Sequence, residues 1–130
     1  MHTFWPGSLT LVFAAKPGIC DFLTAGTGRI GVRVPSHPVA RALVQAAGGP
    51  ITGTSANLSG CPGCSRISDM PGKLLQTVDM VLDAGTLKGG AGSTILDITC
   101  DPPRVLRHGA IPSETISQTL SCTIKMGKKS

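Results

Sequence analysis

The stretch Gly53-Thr54-Ser55-Ala56-Asn57-Leu58-Ser59-Gly60 holds the densest set of side chains able to bind a ligand. Three hydroxyls and one amide fall within six of its residues, from Thr54 to Ser59. Small side chains allow close approach. Hydroxyls, the amide and free backbone N–H groups can bind phosphate or carboxylate oxygens. The plainer reading is a Ser/Thr/Asn turn with local side-chain-to-backbone bonds. Arg33 stands among apolar neighbours in Ile-Gly-Val-Arg-Val. An arginine buried there needs an anion, either a ligand carboxylate or an internal acid. Arg107, beside His108-Gly109, could reach a phosphate bidentately or end a strand as a solvated charge. Ser93-Thr94 follow a glycine-rich turn whose N–H groups and hydroxyls could form an anion site.

Other chemistries find less support. Gly-Ala-Gly-Ser-Thr lacks the Lys and the spacing of a phosphate-binding Walker loop. Three His and many Ser leave a hydrolytic triad open, but no G-x-S-x-G elbow occurs. His37 is read as the opening of a helix. Of five Cys, only Cys61 and Cys64 form a C-x-x-C, and a zinc ribbon needs a second such pair. Reduced, mostly buried thiols are the expectation, and no metal ligands are assigned.

These residues need elements to position them. Leu9–Ala15 and Ile30–Val34 read as buried strands. His37–Ala47 has helical apolar spacing, with Pro38 in the first turn and Gly48-Gly49 after the end. Ile51–Gly53 is read as a short strand, Thr54–Ser65 as a loop and Ser68–Thr77 as a weaker helix. Asp79–Asp83, Ser93–Thr99 and Arg104–Arg107 are read as further strands. Ser113–Cys122 is a closing helix with Ser113 at its N-cap. Strict β-α-β alternation is missing, so the expected class is α/β with a sheet of mixed direction.

Composition sets the bounds. The 130 residues suit one domain, 41% hydrophobic and 15% charged, which excludes intrinsic disorder. Seventeen Gly and ten Pro show no collagen period. No apolar run spans a bilayer and no export signal is visible, so a cytoplasmic protein is expected. The net charge of +5 owes much to Lys125, Lys128 and Lys129, in a segment from 123 to 130 read as a flexible basic tail. Few aromatics and no Tyr argue against base stacking on single-stranded RNA.

Six stretches together resemble one family, the YrdC-like domain of L-threonylcarbamoyladenylate synthases. Phe4–Thr10 resembles its FWPGPLT motif, with Ser8 for the second Pro. Gly31–Pro38 resembles GVRVPDHP. Gly49–Thr52 and Thr54–Gly60 resemble GGPI-T and TSANLSG. Asp83–Gly85 with Gly92–Asp97 resembles DGG…GSTIVD, and Val105–Ile111 resembles LRxGAI. The match runs in order from about Phe4 to Leu120, so residues 1–122 are read as a partial YrdC-like domain. The resemblance implies a twisted mixed α/β sheet with flanking helices around a concave, positively lined cavity.

It also implies a reaction. L-threonine, bicarbonate and ATP, with Mg²⁺ on the phosphates, would give threonylcarbamoyl-AMP and pyrophosphate. A downstream threonylcarbamoyl transferase would carry the group to an adenosine of tRNA. On this resemblance Arg33 grips the threonine carboxylate. Ser55 and Asn57 line the meeting point of threonine and nucleotide, with Asn57 on the ATP side. Ser65 approaches the nucleotide, Ser93 contacts threonine and Arg107 holds phosphate. No catalytic base is assigned. Carboxylate attack on an α-phosphate is mainly a matter of orientation and charge neutralisation.

The sequence departs from the family in its front part. PT-x-T-x-YGLG and K-x-R stretches, the latter binding phosphate and threonine in relatives, have no counterpart, so an N-terminally truncated sheet is expected. Arg29 stands where relatives often carry Thr, and Ala84 replaces a Gly. A second reading is therefore a YrdC-like module that binds nucleotide, threonine or RNA (tRNA or double-stranded RNA) without turnover, or that takes its front section from a partner chain. The related carbamoyl-transfer domain of hydrogenase maturation ranks last, since its acylphosphatase and zinc-finger neighbours have no counterpart.

Overall fold

The structure is a computed structural model that describes residues 3–58, Cys61 and residues 63–127. Five strands form one mixed sheet: β1 (Leu9–Ala14), β2 (Arg29–Val32), β3 (Thr94–Asp97), β4 (Arg104–Arg107) and β5 (Lys125–Met126). Their order across the sheet is β2-β1-β3-β4-β5. β1 pairs antiparallel with β2 and parallel with β3, so two segments far apart in sequence form the centre. β3 and β4 are antiparallel with an irregularity at Ile95/Leu96, and β4 and β5 are parallel.

The period of two along a strand explains the core. Leu9 and Leu11 of β1 bury together with Leu96 of β3 and Val105 of β4. Ile116, on helix α4 (Ser113–Leu120), completes this cluster with none of its surface exposed. Asp97 and Arg104 are register partners one step along from the Leu96 and Val105 pair, and so face away from the cluster. Trp5 anchors the entry to β1 by donating its indole N–H to the Leu9 carbonyl at 2.7 Å.

The chain divides into two compact units. One comprises residues 1–41 and 91–130, and the other residues 42–90. The first holds the whole sheet, α1 (Asp21–Thr24) and α4. Helix α2 (Pro38–Ala46) runs across the sequence boundary, and His37 opens it by accepting a hydrogen bond from the Arg41 N–H. The second unit adds a single 3₁₀ turn at Ile67–Asp69 and α3 (Gly72–Leu75).

Several elements differ from expectation. Asp79–Asp83 and Ile51–Gly53 are not strands. Among the described residues of 42–90 there is no strand, so neither run finds a partner ladder in its own unit, and Met80 and Leu82 are exposed. The expected helix over Ser68–Thr77 is split at Met70-Pro71, because Pro71 precludes a continuous hydrogen-bonded turn. Pro112 rather than Ser113 is the N-cap of α4. Part of the segment read as a basic tail is structured. Lys125 donates to the Pro103 carbonyl and Gly127 to that of Val105, which makes β5 an edge strand. The thiols are not mostly buried, since Cys20 and Cys61 are exposed and the other three are half-buried.

Candidate functional site

The glycine-rich approach to β3 and the end of β4 meet at Ser93. Arg107, the last residue of β4, turns its guanidinium onto Ser93. Nη2 donates to the Ser93 carbonyl at 2.9 Å and to its hydroxyl at 3.1 Å, and Nε donates to the same carbonyl at 3.2 Å. Ser93 is only 5% exposed, and its hydroxyl lies 2.8 Å from that of Thr10 on β1.

Glycine makes this approach possible. A Cβ on Gly109 would lie 2.3–2.5 Å from the Ser93 and Thr94 backbone, so no other residue fits there without movement. Ala110 then donates to the Gly92 carbonyl at 2.9 Å and closes the turn on the site. Thr94 is committed to structure. Its N–H donates to the Ser8 carbonyl, and its hydroxyl both donates to the Ile111 carbonyl and accepts from the Ile111 N–H. Of the expected Ser93-Thr94 anion pair, then, only the Ser93 hydroxyl stays close to a charged group.

Arg33 directly follows β2 and is exposed rather than enclosed in a strand. Among the described residues its side chain makes no hydrogen bond or ion pair. The buried-charge argument therefore does not apply, and its guanidinium is available to an anion. Arg29, by contrast, pairs with Asp97 at 3.2 Å, and Arg104 approaches the same carboxylate at 3.8 Å. Burial pushes the Asp97 pKa up, but the hydroxyl and amide of Thr99 and the two arginines outweigh it and hold the group below its ordinary value.

Ser55, Asn57 and Ser65 lie in the second unit. The Asn57 amide donates to the carbonyls of Leu58 at 3.1 Å and Cys61 at 2.7 Å, and the Asn57 N–H donates to the Ser55 carbonyl. The local turn bonds expected of such a loop are thus made. The Asn57 Oδ1 is buried without a partner among the described residues. Asn57 also lines a cavity of about 200 Å³ with Leu58, Cys61, Cys64, Asp69 and Pro71. Ser65 accepts at its carbonyl from the Leu87 N–H, and its hydroxyl faces Gly89. Ser59 and Gly60 of the loop lie outside the described residues. Thr10 escaped the reading of residues, although a polar residue between Leu9 and Leu11 in an apolar strand was a visible signal.

The model for the Sua5/YciO/YrdC family, described as telomere recombination, matches residues 1–109. The chain belongs to this family. A threonylcarbamoyl-AMP synthase of Bacillus subtilis is 37% identical over 121 residues, which are 92% of this chain and 35% of that protein. One of Schizosaccharomyces pombe is 35% identical over 89% of this chain and 29% of its own length. The crystal structure of Pyrococcus abyssi Sua5 complexed with L-threonine superposes with a TM-score of 0.86 at 31% identity, covering 97% of this chain and 37% of that one. The chain thus spans about a third of the length of each of these relatives. The mixed sheet with flanking helices is the fold of the Sua5/YciO/YrdC proteins. Among the described residues no helix is long and apolar enough to cross a membrane.

Proposed function

We propose that this Sua5/YciO/YrdC chain binds L-threonine and ATP in the formation of threonylcarbamoyl-AMP. The observation that carries the reading is the Arg107–Ser93 pair, a guanidinium held beside a nearly buried hydroxyl where the GST and LRHGA motifs meet. The names of the relatives and the threonine complex of Pyrococcus abyssi Sua5 support the same ligand.

In the reaction, the threonine nitrogen and bicarbonate combine with loss of water into a carbamate. A carbamate oxygen then attacks the α-phosphorus of ATP, and the bond to pyrophosphate breaks. The chemistry calls for neutralised anions held in line more than for a strong base. Arg107 would neutralise phosphate, Arg33 the threonine carboxylate, and Ser93 would contact threonine. Ser55 would serve threonine, and Asn57 and Ser65 the nucleotide. Mg²⁺ would ride on the ATP phosphates as part of the substrate. The product would pass to a transferase acting on tRNA.

Calorimetric titration of the chain with ATP·Mg²⁺, with and without L-threonine and bicarbonate, tests the reading. Binding of ATP that tightens with threonine is expected, with pyrophosphate release that requires all three. A folded chain that binds neither ligand refutes it.

A further inference from the structure

We infer that Thr10 is a ligand-binding residue, the outer end of a hydrogen-bond chain that runs from Arg107 through Ser93. The Ser93 hydroxyl accepts from Arg107 Nη2 at 3.1 Å and lies 2.8 Å from the Thr10 hydroxyl. The two hydroxyls carry two protons, and one of them occupies the bond between the oxygens. Neither hydroxyl donates to any other group among the described residues, so one proton is left over. A hydroxyl that accepts from a cation becomes the better donor, because successive bonds polarise one another. Ser93 therefore donates to Thr10, and Thr10 keeps the free proton. Exposure gives the same direction, since Ser93 is 5% exposed and Thr10 only half-buried.

The Thr10 side chain also has room on the neighbouring strand. Its Cγ2 lies 3.3 Å from where a Cβ on Gly31 would stand, so glycine in the GVRVP stretch leaves room for the methyl. A free donor at the end of a chain that starts on a guanidinium favours an oxygen without a proton, a carboxylate or phosphate oxygen. Thr10 thereby couples strand β1 to the anion contact made from β4. This assignment rests on the proposed function for its ligand, but the hydroxyl arrangement is independent of it.

Two measurements test it. In low-temperature NMR of the ligand-free chain, a Ser93 hydroxyl proton protected from exchange and a fast-exchanging Thr10 hydroxyl are expected, and the reverse pattern overturns the chain direction. In titrations, Thr10→Val is expected to weaken binding roughly ten-fold, the cost of one lost hydrogen bond to a charged group, while Thr10→Ser stays near wild type. A loss for L-threonine and not for L-threoninamide or ATP assigns the acceptor to the carboxylate. A loss for ATP and inorganic phosphate assigns it to phosphate. Wild-type affinity for every ligand in folded Thr10→Val, or equal loss in Thr10→Ser, overturns the role of Thr10. A wild-type chain that binds none of them refutes the proposed function, and the NMR pattern then still decides the hydroxyl arrangement.

Discussion

Asp97 keeps a full negative charge with none of its side chain exposed, against arginines from two different strands. Its pKa lies below the ordinary 3.8, so the folded chain releases the proton more readily than the unfolded chain. The stability it contributes is present above that ordinary value and is lost as pH falls through the folded one. Asp97→Asn should cost about 1–3 kcal/mol near neutral pH, less than a fully buried pair because both guanidiniums reach solvent. In thermal melts the gap between the two proteins should narrow as pH falls from about 7 to about 3. The two arginines proposed to bind ligand differ in another way. Arg33 is exposed and free of acids among the described residues, so Arg33→Ala should weaken threonine binding at little cost in stability. Arg107→Ala should weaken ATP binding and also lower the melting temperature, because the Ser93 carbonyl loses its two donors. Equal effects of both substitutions on both ligands, read by calorimetry, would count against separate roles.

At the scale of elements, the close approach of the β4–α4 connection to Ser93 depends on Gly109. Gly109→Ala should destabilise by more than about 2 kcal/mol, since the contact is with backbone that cannot swing aside. Chemical denaturation would measure it. β1 and β3 were legible in the sequence because they are apolar and largely buried, and β4 because Pro102-Pro103 mark its start. β1, β3 and β4 each lie within the stretch their apolar pattern marked, and the Arg104–Arg107 bounds agree residue for residue. Asp79–Asp83 carries the same composition and forms no strand, since composition cannot supply a neighbour to bond with. β5 was illegible for the opposite reason. Lys125-Met126 has no strand signature, and its place comes from the open edge of β4. The site was legible as motifs, but the bonding of Thr10 to Ser93 joins residues that no local spacing relates.

Across the whole molecule, stability is uneven. Residues 79–90 are exposed throughout, and the core cluster draws only on residues outside 42–90. Hydrogen exchange should therefore be fast over 79–90 and slowest in β1 and β3, where buried side chains cover the ladder. Comparable protection in both regions would contradict this picture. The central β1–β3 pairing also has a consequence for synthesis. Leu9 and Thr94 are register partners about 85 residues apart, so β1 waits for a strand made much later to complete its ladder. At roughly 5–20 residues per second on a ribosome, Leu9 and Leu11 stay uncovered by β3 for several seconds. Its yield on expression should therefore respond to translation speed more than its final stability suggests.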